Sequence, residues 1–148
     1  ATGDPMTAPP WRRPESVLVV VYTADGECLL LERSEPRGFW QSVTGTLGWD
    51  ETPKQAAVRE LAEETGLAAD GLVDAGIQRT FPIHPAWRRR YAPEVMENLE
   101  HLWYLPLPHR VPVRLNPAEH VDYAWLPLPA ADDRDTSWTN REAIERLR

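Results

Sequence analysis

Apolar runs separated by turn signals occupy the first third of the chain. Val17 to Tyr22 is a continuous, valine-rich run, which predicts a buried strand. Ala24 to Gly26 is a turn signal, and apolar character resumes from Cys28 to Leu31, so the two runs predict a β-hairpin. A loop is expected over residues 33–38, and strand character returns from Phe39 to Val43.

The clearest helix is predicted from Pro53 to Thr65. Thr52 can cap its first turn, and Gln55 three residues later completes a capping box. Proline at the first helical position costs no hydrogen bond, because the first N–H groups of a helix have no partner within it. Gly66 is expected to end the helix. Four apolar side chains form the stripe predicted to face the core: Ala57, Val58, Leu61 and Ala62.

The second half of the chain is rich in proline, and eight of the fifteen prolines follow Pro82. Proline cannot donate a backbone hydrogen bond, so turns and irregular loops are expected there, including a long loop from Pro82 to Val95. A final helix is predicted from about Asn140 to the end, with Thr139 and Glu142 as its capping box. Three further segments are predicted to contain strands: Leu72 to Phe81, Leu99 to Leu105 and Val121 to Leu126.

Length and composition are those of one globular domain. The chain has 148 residues, of which 42% are hydrophobic and 26% are charged, and this suits a single core. The domain is predicted to cover residues 14–148, after an N-terminal tail over residues 1–13. Within that tail, residues 1–5 read as a cloning remnant ahead of a natural start at Met6, and no signal peptide is visible.

Charge and cysteine content restrict the classes of function. The net charge of −7 disfavours general binding of nucleic acid, and no apolar run is long enough to cross a membrane. Cys28 is the only cysteine, so no disulfide framework is expected and a cytoplasmic location fits. Three adjacent arginines, Arg88 to Arg90, suit a small anionic ligand, although a solvated loop is the simpler interpretation.

Three carboxylates share one narrow arc of the predicted helix. At about 100° per residue, Glu63 and Glu64 lie within roughly 60° of Glu60. Like charges four residues apart destabilise a helix by a few tenths of a kcal/mol, so the cluster requires a reason. A hard divalent cation such as Mg²⁺ supplies one, because it prefers oxygen ligands. The alternative is a solvated acidic face on a good helix former.

The segment from Gly45 to Leu67, GTLGWDETPKQAAVRELAEETGL, resembles the Nudix box G-x5-E-x7-R-E-U-x-E-E-x-G-U, in which U is aliphatic. Nine fixed positions agree: Gly45, Glu51, Arg59, Glu60, Leu61, Glu63, Glu64, Gly66 and Leu67. A match of this length is far more specific than a short glycine pattern. The resemblance implies the Nudix fold, an α/β/α sandwich with a mixed β-sheet, and a metal-dependent pyrophosphohydrolase activity on phosphoric anhydrides.

The resemblance also implies roles for individual residues. Glu60, Glu63 and Glu64 are the expected catalytic residues and metal ligands, and the carbonyl of Gly45 is a further candidate ligand. Mg²⁺ is the expected cofactor, with Mn²⁺ as the substitute. An ion pair between Arg59 and Glu51 is expected to support the site by tying the loop to the helix.

Four flanking motifs indicate a subfamily. FWQSVTG, RRYAP with an Asn98–Glu100 segment after it, HVDYAWL and SWTNREAI occur in this order, and together they resemble the bacterial dihydroneopterin triphosphate pyrophosphatases of folate biosynthesis. The resemblance implies hydrolysis of 7,8-dihydroneopterin triphosphate to the monophosphate and pyrophosphate. It also implies that Glu119, which precedes HVDYAWL, is an additional metal ligand; a surface loop acid is the alternative.

Aromatic and basic side chains are the candidate substrate contacts. A pterin is a flat polar heterocycle, which favours aromatic stacking and hydrogen bonds at its edge. The candidates for these contacts are Trp40, Trp138 and Asn140, with a core position as the alternative for Trp40. The candidates for binding the triphosphate are Arg88, Arg89, Arg90 and Tyr91.

Two other interpretations remain open at this point. One is a Nudix enzyme of different specificity, acting on nucleoside triphosphates or dinucleoside polyphosphates; the acidic Glu94 and Glu97 beside the arginine cluster leave room for such a shift. The other is a Nudix module that binds a ligand without catalysis. Every interpretation has a small molecule as the ligand, and none requires nucleic acid or a membrane. The sequence leaves the oligomeric state of the protein open.

Overall fold

A computed structural model describes residues 10–148 of the chain. The expected cloning remnant and the start at Met6 lie outside the described residues. The strands are β1 (Glu15–Thr23), β2 (Glu27–Arg33), β3 (Trp40–Gln41), β4 (Val43–Thr46), β5 (Val73–Pro82), β6 (Glu97–Leu107) and β7 (His120–Pro127). The helices are α1 (Pro53–Thr65), α2 (Leu128–Arg134) and α3 (Trp138–Glu145), with a 3₁₀ helix at Pro85–Arg90.

The seven strands form one mixed sheet. Five of them follow the order β3-β2-β1-β6-β5, while β4 pairs with β1 and β7 pairs with β2. The β1–β6 pair is parallel, and the other pairs are antiparallel. β1 therefore lies at the centre, with β6 along one side and β4 along the first half of the other, and the predicted hairpin of β1 with β2 is present.

Alternate side chains of β1 enter two separate cores. Val17, Val19 and Val21 pack on the side of α1, together with Leu61 of that helix. The intervening Leu18 and Val20 pack on the opposite side, beneath α2 and α3. Because successive side chains of a strand point to opposite faces, one strand supplies both cores, and the result is a three-layered α/β/α arrangement.

Helix α1 has the bounds and caps that the sequence predicts, but it presents a different face to the core. The hydroxyl of Thr52 accepts from the N–H of Gln55, the capping box is complete, and Gly66 ends the helix in the left-handed region at φ 74°. The predicted apolar stripe is wrong at Val58 and Ala62, which are exposed. The buried side instead includes Glu60 and Glu64, so the stripe has rotated toward the carboxylates.

Four other predictions are corrected. The expected loop after Pro82 contains the 3₁₀ helix, and α2 was not predicted. The final helix begins earlier than expected, with Ser137 as its N-cap and no side-chain capping bond, so the capping box of Thr139 with Glu142 is wrong. The strand expected over residues 39–43 is divided at Ser42 into β3 and β4, because Ser42 is bound to the side chain of Asn140.

Two residues of the expected N-terminal tail pack against the domain. The backbone N–H of Arg12 donates to the carbonyl of Arg90 at 2.8 Å. The Arg13 guanidinium donates to the carbonyls of Gly48 at 2.8 Å and Glu51 at 2.9 Å. These contacts attach the segment before β1 to the loop that precedes α1 and to the end of the 3₁₀ helix.

Two carboxyl groups are buried between the sheet and the C-terminal helices. One oxygen of Asp135 accepts from the N–H of Ser137, while the other has no partner among the described residues. Burial raises the pKa of Asp135 to about 8, with a contribution from the neighbouring Asp132 and Glu100 that Arg141 opposes. Burial likewise raises the pKa of Glu100 to about 7.

The first prediction concerns Asp135. Its pKa is higher in the folded than in the unfolded chain, so the folded protein binds more protons between about pH 4 and pH 8. The free energy of unfolding should therefore fall as the pH rises through this window. Asp135→Asn keeps the acceptor for Ser137 and removes the titration, so it should raise the melting temperature at pH 8 by more than at pH 5.

Thermal unfolding at a series of pH values tests this, with Asp133→Asn as the control, because Asp133 is an exposed position of α2 two residues before Asp135. A gain of about 1 kcal/mol corresponds to an increase of about 2–4 °C in a chain of this size. A variant whose melting temperature follows that of the wild type at every pH would contradict the assignment.

Candidate active site

Helix α1 presses two of its glutamates against β4. Glu60 and Glu64 are 8% and 1% exposed, which excludes the solvated acidic face considered from the sequence. Gly45 of β4 lies opposite Val17 in the register with β1 and faces Glu60. A Cβ atom added at Gly45 would overlap the Glu60 carboxylate, so a larger residue here would displace this carboxylate from β4.

Arg59 links the loop, the strand and the helix. Its Nε and Nη2 donate to the two carboxylate oxygens of Glu51 at 2.7 and 2.8 Å, so the expected ion pair is present and bidentate. Nη2 also donates to the carbonyl of Thr46 at 3.1 Å. Nη1 donates to Glu60 at 2.6 Å and to Glu63 at 3.2 Å. One guanidinium thus holds three carboxylates and a strand end in fixed positions.

Glu51 is held from a second direction. Its Oε1 also accepts from the backbone N–H of Gly48 at 2.9 Å. The hydrogen bonds from Arg59 hold the pKa of the Glu51 carboxyl below its usual range, in spite of partial burial. The loop before α1 therefore carries a fixed negative charge whose function is to hold the loop and the arginine together.

Glu64 is the most deeply buried acid of the site. Neither carboxylate oxygen has a hydrogen-bond partner among residues 10–148. Burial raises the pKa of Glu64 well above its usual value, and Glu60 and Glu119 act in the same direction. His120 Nε2 lies 3.8 Å from Glu64 Oε1, and burial together with Arg33 lowers the pKa of this imidazole to about 4. The imidazole is therefore neutral at pH 7.

Glu119 approaches the same cluster from the start of β7. Partial burial raises the pKa of its carboxyl, and so do the charges of Glu60 and Glu63. Its carbonyl accepts from the backbone N–H of Ser34 at 2.8 Å, which fixes this loop to the end of β2. In the described part of the chain, no three His, Cys, Asp or Glu side chains form a ready-made cation cage, since Arg59 binds Glu60 and Glu63.

The arginine cluster lies on the 3₁₀ helix. Arg89 and Arg90 are exposed, whereas Arg88 is half-buried and directs its guanidinium to the sulfur of Met96. Tyr91 is buried, with 8% of its surface exposed, so it supports this segment more than it offers a contact to a ligand. Of the four residues expected to meet a triphosphate, Arg89 and Arg90 are the most accessible.

Arg33 is a functional candidate that the sequence analysis assigned only to a loop. It ends β2, and its guanidinium lies 5.7 Å from the ring centre of Phe39 and 5.5 Å from that of Trp87. Burial and the nearby Arg90 lower its pKa, while Glu119 and Glu64 act in the opposite direction. Arg33 thus stands between the arginine cluster and the carboxylates. The signal in the sequence was an arginine shortly after the apolar run from Cys28 to Leu31.

The three residues expected to contact a heterocycle have different environments. Trp138 is the first residue of α3 and is 56% exposed. Trp40 is half-buried, and the Arg134 guanidinium lies 5.2 Å from its ring centre. Asn140 is fully buried and its amide binds the backbone N–H and the hydroxyl of Ser42, so the expectation of a ligand contact is wrong.

Comparisons with known proteins agree with this geometry. A family model described as NUDIX domain matches residues 12–147, so the chain belongs to the Nudix family, and its fold is the Nudix fold. It is 43% identical over 142 residues to a dihydroneopterin triphosphate diphosphatase of Escherichia coli K12, covering 93% of each chain. A protein of the same name from Haemophilus influenzae is 39% identical over 143 residues, covering 92% of this chain and 88% of that one.

A solved structure gives the same result in three dimensions. The structure of the E. coli dihydroneopterin triphosphate pyrophosphohydrolase superposes with a TM-score of 0.85 at 41% identity, covering 93% of this chain and 96% of that one. The chain is therefore a Nudix pyrophosphohydrolase, and its similarity to these diphosphatases extends over nearly the whole domain.

The second prediction concerns Arg59. Arg59→Ala leaves Glu51 and Glu60 without their donor, so it should lower stability by roughly 1–3 kcal/mol and reduce turnover as well. Thermal unfolding and steady-state kinetics measure the two effects. Arg79→Ala is the control, because it breaks an ion pair with Glu142 that lies away from the loop before α1. An unchanged melting temperature with lost activity would instead make Arg59 a direct substrate ligand.

Proposed function

We propose that this protein hydrolyses 7,8-dihydroneopterin triphosphate to dihydroneopterin monophosphate and pyrophosphate, with Mg²⁺ as the cofactor. The observation that carries the proposal is the 43% identity to the E. coli diphosphatase over 93% of both chains. The assembled carboxylates of α1 support it, because a protein that only binds a ligand has no need to bury an acidic cluster at such cost.

The residues present fit a divalent metal, which Nudix hydrolases generally use. Within the described residues 10–148, the two oxygens of Glu64 are buried without a partner, and a buried carboxylate requires either a proton or a cation. The proposed ligands are Gly45 through its carbonyl, Glu60, Glu63, Glu64 and Glu119. This oxygen-only set is the chemistry that Mg²⁺ prefers and Mn²⁺ accepts. When bound, the metal would neutralise phosphate charge and acidify a water molecule.

The protein groups have separate tasks in this proposal. Arg59 and Glu51 hold the carboxylates in place, and one of Glu60, Glu63 and Glu64 takes the proton from the attacking water. Neutral His120 packs against Glu64 without adding a competing positive charge.

At the other end of the site, Arg33, Arg89 and Arg90 would bind the outer phosphates. Arg90 lowers the pKa of Arg33, which supports a shared region for the two side chains. Because Arg33 is also close enough to Glu119 and Glu64 for their charges to act on it, a triphosphate would lie with one end on the arginines and its inner phosphates at the carboxylates. Trp138, and Trp40 more weakly, would border the pterin ring.

The third prediction concerns the metal ligands. Glu60→Gln and Glu64→Gln each remove a charged ligand and should reduce turnover by orders of magnitude. Mg²⁺ should raise the melting temperature of the wild type, as any ligand of the native state does, and raise that of the variants less. The matched control is Glu145→Gln on the exposed side of α3. Near-normal rates in both variants at saturating Mg²⁺ would reject the site.

The fourth prediction concerns the substrate and the bond that is broken. In a panel with GTP, ATP, CTP and a dinucleoside polyphosphate, dihydroneopterin triphosphate should have the highest kcat/KM. The first products should be the monophosphate and pyrophosphate, because the metal at the inner phosphates would stabilise pyrophosphate as the leaving group.

Hydrolysis in ¹⁸O-labelled water identifies the phosphorus that is attacked. Label in the monophosphate indicates the α-phosphorus, and label in pyrophosphate indicates the β-phosphorus. Orthophosphate as the first product would exclude the proposed reaction. A higher kcat/KM for a nucleotide in the panel would retain the Nudix chemistry and reassign the substrate.

A further inference from the structure

Two aromatic rings from separate segments of the chain hold the guanidinium of Arg33. Its central carbon lies 5.7 Å from the ring centre of Phe39, in the loop before β3, and 5.5 Å from that of Trp87, on the 3₁₀ helix. Both distances are within the roughly 6 Å over which a cation is attracted to an aromatic face. All three side chains are half-buried, which strengthens the attraction because less water competes for the charge. We refer to Phe39 and Trp87 as the aromatic clamp of Arg33.

The terminal nitrogens of the Arg33 guanidinium remain available for a ligand. Its Nε donates to the carbonyl of Glu35 at 3.0 Å, which restricts the rotation of the group. Among residues 10–148, neither Nη1 nor Nη2 has a hydrogen-bond acceptor, and no carboxylate forms an ion pair with Arg33. Two terminal nitrogens that both donate in one plane match two oxygens of a phosphate group.

Backbone hydrogen bonds fix the segments that carry the clamp. The N–H of Arg33 donates to the carbonyl of Phe39 at 2.9 Å, so the guanidinium and this ring belong to the two ends of one closed loop. The N–H of Trp87 donates to the carbonyl of His84 at 2.9 Å, and the His84 ring lies 5.5 Å from that of Trp87. The main chain therefore sets the positions of both rings, and the rings restrict Arg33.

The charges around Arg33 explain why it must be restrained. Burial lowers the pKa of Arg33, and Arg90 and Arg12 act in the same direction, while Glu119 and Glu64 oppose them. This pattern supports a position between the basic segment and the acids assigned to the metal. A flexible arginine in that position would turn to form an ion pair with one of the acids, and its donors would then be lost to a ligand.

We propose that Phe39 and Trp87 are positioning residues that hold the terminal nitrogens of Arg33 toward the outer phosphates of the substrate. This inference rests on the proposed function, which assigns Arg33 to those phosphates, and it specifies what keeps the arginine in place. Two parallel hydrogen bonds to one phosphate require a fixed guanidinium plane. The clamp supplies that plane and keeps Arg33 from pairing with Glu119. Neither ring touches the phosphates, so both act through Arg33 alone.

Trp87→Leu tests the proposal, because it removes the ring and keeps an apolar side chain. Inorganic tripolyphosphate is the probe: it has the phosphates of the substrate without the heterocycle, so its inhibition constant at saturating Mg²⁺ reports on phosphate binding alone. We expect this constant and the KM for dihydroneopterin triphosphate to rise together by about fivefold, with kcat changed by less than about twofold. Trp87→Phe, which restores an aromatic face, should recover most of the loss.

The matched control is Trp49→Leu, the same substitution at a tryptophan that is 47% exposed and, within residues 10–148, has no arginine over its ring. Its inhibition constant for tripolyphosphate should equal that of the wild type. Melting temperatures measured alongside identify the variants that fold. Phe39→Leu applies the same test to the other ring, and it replaces Trp87→Leu if that variant does not fold.

A double-mutant cycle distinguishes positioning from a general structural role. Arg33→Gln removes the cation and leaves the rings in place. In this background Trp87→Leu should have no further effect on the inhibition constant, because the ring acts through the guanidinium. Additive effects of the two substitutions would refute the clamp.

Two further outcomes would overturn the inference. If Trp87→Leu raises the KM for the pterin substrate but leaves the inhibition constant of tripolyphosphate unchanged, Trp87 contacts the heterocycle instead. If tripolyphosphate does not inhibit the wild type, Arg33 does not provide a phosphate site. The proposed function fails separately, if the wild type hydrolyses a nucleoside triphosphate better than the pterin substrate. The same variants assayed with that nucleotide would then still decide whether the clamp positions Arg33.

Discussion

The bidentate ion pair of Arg59 with Glu51 is the interaction on which the site depends. Glu51 lies in an irregular loop and Arg59 on a regular helix, and the pair makes the two move as one body. The remaining donors of the same guanidinium reach the end of β4 and two acids of α1. A single planar cation with five donors can satisfy all of these acceptors, whereas a lysine could not.

The site buries acidic residues that would be more stable in contact with water. Glu60 and Glu64 occupy the buried side of α1, where apolar side chains would stabilise the helix more, and Val58 is exposed in their place. The Glu60 carboxylate can lie against β4 because Gly45 has no side chain. Such an arrangement is unfavourable for folding and favourable for holding charge in a fixed, partly dehydrated position, as is common at catalytic sites.

Local signals in the sequence were sufficient for α1 but not for the contacts that complete the site. The caps of α1 lie within a few residues of its ends, so its bounds follow from adjacent positions. Its buried face could not be found by hydrophobicity, because two of the buried residues are acids. Arg33 and Asn140 were missed or misassigned for a related reason: their partners are more than fifty residues away or belong to a different element, and no periodic pattern encodes them.

The bond between Asn140 and Ser42 has a consequence for how specificity can change in this family. Ser42 separates β3 from β4, and Gly45, three residues later, lies against the Glu60 carboxylate. Helix α3, which carries the exposed tryptophan, is therefore fastened to the strand that sets the spacing of the catalytic acids. A shift of α3 to admit a larger ring would be transmitted to β4. Adaptation to a new ring and retention of turnover are thus coupled, and mutations that achieve both must be acquired in pairs.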